Sequence, residues 1–186
     1  MEIVETLINR ESGQPYEVIY RDIDAENDFA GKEIKGARAY CFCGDKIVVT
    51  HEAKGHWSLV GGGIEEGEEI RAGIRREVRE ETNMQVEKMR FVGLLEVREP
   101  EGTWFYIWAV CLVTPYGPFQ KDPAEEVSEI KLIEPAEVAK VTSANFKRIG
   151  ERILKRALEA KALMQVEINF ERFSRPVGIS DDSIRF

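Results

Sequence analysis

Apolar and polar positions recur along this chain with two different periods, and the changes of period mark its elements. Residues 16–22 (YEVIYRD) read as a strand, followed by the polar connector DAENDFAGKE. Two apolar runs, 37–43 and 46–50, flank Gly44-Asp45, a hairpin signal. A glycine-rich turn at 61–63 precedes a helical pattern over about 69–82. Strand-like stretches follow near 90–97, 103–113 and 127–133. Pro135 suits the first turn of a short helix, and a second helix spans about 143–164, with Phe146, Ile149, Ile153, Ala157 and Met164 on its apolar face. The remainder, ending GISDDSIRF, has no strong periodicity and reads as a loosely structured tail or a packing arm. Strands and helices mixed in this order indicate an α/β or α+β layered domain.

Composition narrows the class. With 186 residues, 43% hydrophobic and 32% charged, the chain suits one soluble domain with extensions better than two domains. No apolar run approaches the roughly 18 residues of a membrane span. The start, MEIVETLINRESG, has neither a basic n-region nor an apolar core, so no secretory signal is expected. Cys41 and Cys43 would point to one face of a strand, yet Cys111 adds no zinc-finger spacing, so buried reduced thiols in a cytoplasmic protein are expected. The formal net charge of −8 argues against general attraction to nucleic acid. An acidic enzyme can still bind phosphates if a cation stands between them.

Glu77, Glu80 and Glu81 fall within about 100° of arc on an ideal helix. Like charges at these spacings destabilise a helix by about 0.2–0.5 kcal/mol per pair. The helix dipole adds a further penalty, because they lie in the final turns. Glu81 is close in angle to Ile74, and the Ile70–Ile74–Val78 stripe should face the core, so these carboxylates sit at the edge of buried surface. A divalent cation would turn each of these costs into a binding contribution. A solvated acidic face, with Arg76 paired to Glu80, is the competing explanation for the helix alone.

The flanks of that helix decide between the two. The segment GGIEEGEEIRAGIRREVREETNM, residues 62–84, resembles the Nudix box: a glycine, five residues, a glutamate, seven residues, then Arg-Glu-aliphatic-x-Glu-Glu-x-Gly-aliphatic. Gly62 and Glu68 fill the first two positions, Arg76, Glu77, Val78, Glu80 and Glu81 the central run, and Met84 the last. The late glycine is replaced by Asn83, at a position just past the helix where a left-handed cap is expected and Asn is the usual second choice. Val60 stands where the family often has proline.

The resemblance implies a Nudix-type α/β/α sandwich with a mixed central sheet. It divides the chain into an N-terminal strand extension (1–34), a hydrolase domain (35–165) and a C-terminal tail or packing arm (166–186). It further implies Mg²⁺ or Mn²⁺ held by Glu77, Glu80 and Glu81 with the Gly61 carbonyl, Glu68 supporting the box and Arg76 orienting its carboxylates. The reaction implied is attack of water on one phosphorus of a P–O–P linkage. The general base is either a box glutamate, for which Glu77 is the candidate, or an acid of the later loop, where Glu125, Glu126 and Glu129 are candidates.

Trp104, Tyr106 and Trp108 alternate on one strand face, opposite Phe105 and Ile107, as either a stacking platform for a base or sheet-core packing. Trp57 and His56 lie just upstream of the box and could approach a nucleotide; a loop position without function is the alternative for His56. The expected substrate is a nucleoside diphosphate derivative such as a sugar nucleotide or dinucleotide, with nucleoside triphosphate pyrophosphohydrolysis as the alternative. A small-molecule partner and a homodimer fit this reading. The cysteines lack the context of the related isomerases, and a non-catalytic sensing or protein-binding module would be expected to lose box glutamates, none of which is missing.

Overall fold

The computed structural model describes residues 1–9, 12–53, 55–119, 126–142 and 147–174. Its strands are β1 (Glu2–Ile8), β2 (Pro15–Asp22), β3 (Ile34–Cys43), β4 (Lys46–Glu52), β5 (Trp57–Leu59), β6 (Met84–Glu99), β7 (Gly102–Pro115) and β8 (Val127–Ile133). Helix α1 (Ile70–Thr82) separates β5 from β6, and α2 (Val138–Val141) and α3 (Arg148–Ser174) follow β8. The strands form one eight-stranded sheet in the order β1-β2-β6-β7-β3-β4-β5, with β8 also paired to β4. β3 and β7 run parallel and the other pairs antiparallel, so the sheet is mixed.

The period-2 alternation explains why both faces are covered. On β7, Ile107, Ala109, Cys111 and Val113 enter one core, while Val110 and Leu112 enter the other with Tyr106 and Trp108 packed at its margin. On β3, Ala37, Ala39 and Cys41 share the first face, and Tyr40 and Phe42 the second. Helix α1 adds Ile74 and Val78 to the first core, where small strand residues let it approach closely. Helix α3 adds Ile149, Ile153, Ala157, Ala160 and Met164 to the second. The result is the α/β/α sandwich expected from the sequence. Cys41 and Cys111 are register partners on the α1 face, and all three cysteines are free thiols.

The hairpin at Gly44-Asp45 forms as expected, with Cys43 opposite Lys46 and Gly44 at φ +63°. Several elements differ from the sequence pattern: β3 begins at Ile34, the short β5 carries no signal of its own, and three others differ more. β6 begins at Met84, directly after the helix, rather than near residue 90; register shifts at Val86/Lys88 and Phe91/Gly93 break the alternation that would have revealed it. The N-terminus adds β1, whose Ile3 and Leu7 pack inward while Glu2, Val4, Thr6 and Ile8 are exposed. Helix α3 runs past Met164 to Ser174; Ile168 continues its apolar stripe at the core margin, and Glu167 on Arg90 and Glu171 on Lys88 add ion pairs to β6. Its first N–H groups, of Arg148 and Ile149, donate to the Glu5 carboxylate of β1 at 2.8 and 3.1 Å. Phe146 lies outside the described residues.

Candidate functional site

The glycine loop after β5 lies flat on β3. Ala37 N–H donates to Gly62 O (3.0 Å), Ala39 N–H to Val60 O (2.8 Å), and Ile64 N–H to Lys35 O (3.1 Å). Gly61 adopts φ +138°, and a Cβ there would stand 2.2 Å from the Ala37 carbonyl oxygen, so only glycine permits this contact. At Gly62 a Cβ would meet Glu77 Oε1 at 2.6 Å, so its absence lets the Glu77 carboxylate come up to the loop backbone.

Helix α1 is capped at both ends by its own sequence. Glu69 accepts from the N–H groups of Arg71 and Ala72 at 3.1 and 3.0 Å. Asn83 adopts the left-handed conformation (φ 53°, ψ 38°), and its N–H donates to Arg79 O. The departure from the family glycine therefore falls on a cap that Asn fills, as expected. Its side chain also donates to Pro118 O at 2.7 Å, a link that glycine could not make. Ile74 and Val78 are buried, and Ile70 is half-buried. Glu81 shares their side of the helix: only 9% exposed, it accepts from Gly61 N–H at 3.0 Å.

Arg76 organises the remaining carboxylates. Its guanidinium binds Glu68 through two bonds (Nε–Oε1 3.0 Å, Nη2–Oε2 2.9 Å) and donates to Gly63 O at 3.0 Å. Its Nη1 reaches Glu77 at 2.8 Å and Glu80 at 3.3 Å. The hydrogen bond from Arg76, with one from Glu65 N–H, holds the Glu68 carboxyl below its ordinary range. Glu77 is pushed the other way: burial raises it, Arg76 partly offsets this, and the charges of Glu80 and Glu126 raise it further.

This corner offers oxygen donors alone: the carboxylates of Glu77, Glu80 and Glu81 and the Gly61 carbonyl. Among the described residues, no three acidic, histidine or cysteine side chains close into a ready-made metal cage; Arg76 stands between Glu77 and Glu80 and bonds both. The donor chemistry nevertheless fits a hard divalent cation, and a cation beside Glu77 would offset the burial that disfavours its charged form.

The other sequence candidates are distributed unevenly. Glu126 acts electrostatically on Glu77 across the fold, and its carbonyl accepts from Ala53 N–H. Glu129 is exposed on β8 opposite His51, and Glu125 lies outside the described residues. Tyr106 stands against β3 where it meets the loop: a Cβ on Gly36 would lie 3.4 Å from its ring, and Gly36 bridges Gly63. Trp104 is half-buried, with Lys35 Nζ 5.5 Å from its ring centre. Trp57 packs against the His51 ring at 5.0 Å and on the α3-side core, and His56 pairs with Glu52 at 3.0 Å. Sequence reasoning missed Arg38, whose Nη1 donates to Leu59 O (3.0 Å) and Gly61 O (2.8 Å). A lone arginine in a strand carries no spacing signal that would have found it.

The sequence matches the family model of the NUDIX domain over residues 33–155. No curated relative matches the chain. Among solved structures, the fold resembles the pyrophosphohydrolase BsRppH of Bacillus subtilis (TM-score 0.64, 16% identity, 84% of this chain and 97% of that one). It also resembles the Nudix domain of Shewanella oneidensis NrtR, solved with ADP-ribose (TM-score 0.54, 21% identity, 73% and 92%). A UDP-X diphosphatase is similar at TM-score 0.53 and 18% identity, over 73% of this chain and 68% of that one.

Proposed function

The chain belongs to the Nudix family, and from that premise we propose that it hydrolyses the P–O–P linkage of a nucleoside diphosphate derivative, such as a sugar nucleotide or dinucleotide, with Mg²⁺ or Mn²⁺. The observation that carries this reading is the Glu77 carboxylate seated against bare glycine backbone, 2.6 Å from where a Gly62 Cβ would stand, on the helix that also bears Glu80 and Glu81. Neighbouring folds include a domain solved with ADP-ribose and a UDP-X diphosphatase, which makes nucleotide-linked diphosphates the first substrates to try.

Glu77, Glu80, Glu81 and the Gly61 carbonyl would hold the cation. When bound, it supplies charge neutralisation on the diphosphate oxygens and acidifies a water molecule. Arg76 orients Glu77 and Glu80 while Glu68 holds Arg76 from its far side. Glu126, whose charge acts on Glu77, would take the proton of the attacking water; Glu77 is the alternative acceptor. Tyr106 and Trp104, on the strand next to β3, are the candidate base-binding side chains, with Trp57 on β5 at the sheet edge.

The test is a panel of nucleotide sugars, dinucleotides and nucleoside triphosphates with Mg²⁺ or Mn²⁺, read by product identity. The expected products are a nucleoside monophosphate and a phosphorylated second moiety. Monophosphate plus pyrophosphate from triphosphates alone would move the substrate to that class, and no cleavage of any P–O–P compound would contradict the reading.

A further inference from the structure

Four consecutive carbonyls, those of Leu59, Val60, Gly61 and Gly62, are all taken by three residues of β3. Backbone pairing accounts for alternate ones: Ala39 N–H takes Val60 O and Ala37 N–H takes Gly62 O. The intervening carbonyls, Leu59 O and Gly61 O, are not used by that pairing, and the Arg38 Nη1 group donates to both, at 3.0 and 2.8 Å. A single guanidinium nitrogen carries two hydrogens, so it can hold two carbonyls at once. The Gly61 N–H is meanwhile tied to Glu81 Oε2 at 3.0 Å.

The peptide joining Gly61 to Gly62 lies between two residues without side chains, and such a unit rotates at little steric cost. We propose that Arg38 is a positioning residue for the box: it latches the Gly61–Gly62 peptide with the Gly61 carbonyl in one orientation. The inference rests on the functional reading above for its consequence, because the Gly61 carbonyl is one of the groups assigned to the cation. The latch itself is a property of the loop. Arg38 touches no reacting atom in this account; it acts through the backbone that it holds.

The test compares Arg38→Met, which removes both donors, with Arg38→Lys, which keeps a charged donor. Amide hydrogen exchange over residues 59–64 is expected to speed up in Arg38→Met and to return toward wild type in Arg38→Lys. Misplaced groups in a pre-organised site lower turnover by on the order of 10- to 100-fold, so kcat on the substrate found in the panel should fall that far in Arg38→Met while KM changes little. Mn²⁺ binding by the free protein, read by electron paramagnetic resonance, should weaken in parallel, and Arg38→Lys should recover both. Unchanged exchange in Arg38→Met overturns the latch, as does an equal loss in both variants that merely follows their melting temperatures. Should the wild type bind no Mn²⁺ and cleave nothing, the functional reading fails, and the exchange comparison still decides the latch.

Discussion

The two long helices cover opposite faces of one sheet and differ in how their carboxylates are partnered. On α3, charged side chains find partners from the strands or the loops beside them: Arg152 binds Asp22 at 3.0 Å, Lys161 binds Asp45 at 2.7 Å, Arg156 binds Asp24, and Glu167 and Glu171 bind Arg90 and Lys88. On α1, Arg71 also pairs outward, with Glu26 at 2.6 Å, but the box carboxylates Glu68, Glu77 and Glu80 share the guanidinium of Arg76, and Glu81 accepts from a backbone N–H. The first pattern docks a helix. The second leaves a concentration of negative charge at partly buried positions, which costs stability unless something positive arrives. Charges that a fold balances hold it together; charges that it gathers and leaves in excess mark its chemistry.

The comparison breaks most readily at Glu77. Glu77→Gln keeps the size and shape of the side chain while removing one anion, and kcat for diphosphate hydrolysis should drop by about 10²–10³-fold, as for loss of a group acting on transition-state charge. Melting temperature should hold or rise, because the lost charge was unfavourable to the fold. A smaller loss is expected for Gly62→Ala, whose Cβ would stand 2.6 Å from Glu77 Oε1. Displacing that carboxylate should lower kcat by about 10- to 100-fold at little cost in stability, because the atoms met are the end of a flexible side chain, both measured on the same purified variant.

Acidity sharpens the contrast. Burial pushes Asp22 up, but the Arg152 hydrogen bond and the N-terminal amine outweigh it and hold Asp22 below the ordinary carboxylate range. Its contribution to stability is therefore present above that range and lost as pH falls through its lowered value. Glu77 is raised, so the sign reverses: without divalent cation, its effect on stability worsens as pH rises through the ordinary carboxylate range to the raised value. Urea titrations of cation-free wild type and Glu77→Gln across that range should show the variant gaining relative stability as pH rises. A constant difference would remove the electrostatic argument. The smallest expected effect on turnover belongs to the α3 face. Arg152→Met should cost about 2 kcal/mol in urea unfolding, in line with loss of a hydrogen bond to a charged group, and leave kcat of the folded protein unchanged.

Much of the α1 side was legible in the sequence because its signals are local. The glutamate spacing, the glycines before it and the left-handed residue after it all fall within residues 61–84, and each has a short-range physical reading. Asn83 shows this well: the one mismatch to the family pattern takes the backbone conformation that glycine would have taken. The α3 side was less legible because its determinants are distant pairs. Nothing near Met164 signals that Glu167 and Glu171 will find Arg90 and Lys88 some 80 positions away, separations of 77 and 83 residues along the chain. The same applies to Arg38, whose role depends on where the loop 21 and 23 residues onward comes to rest. Aromatic alternation on β7 foretold a shared face but left open how far each ring would be covered. Tyr106 stands against Gly36 of β3, whereas Trp108 is tilted against Tyr40 with ring centres 5.9 Å apart.

The most direct test of the central claim is a Mn²⁺ titration of wild type, Glu80→Gln and Glu81→Gln, followed by electron paramagnetic resonance, with diphosphate cleavage measured on the same samples. Wild type is expected to bind the ion and cleave a nucleoside diphosphate derivative, and both variants to lose binding and cleavage while remaining folded by circular dichroism. Variants that bind Mn²⁺ and turn over like wild type would contradict the assignment of these carboxylates to the cation.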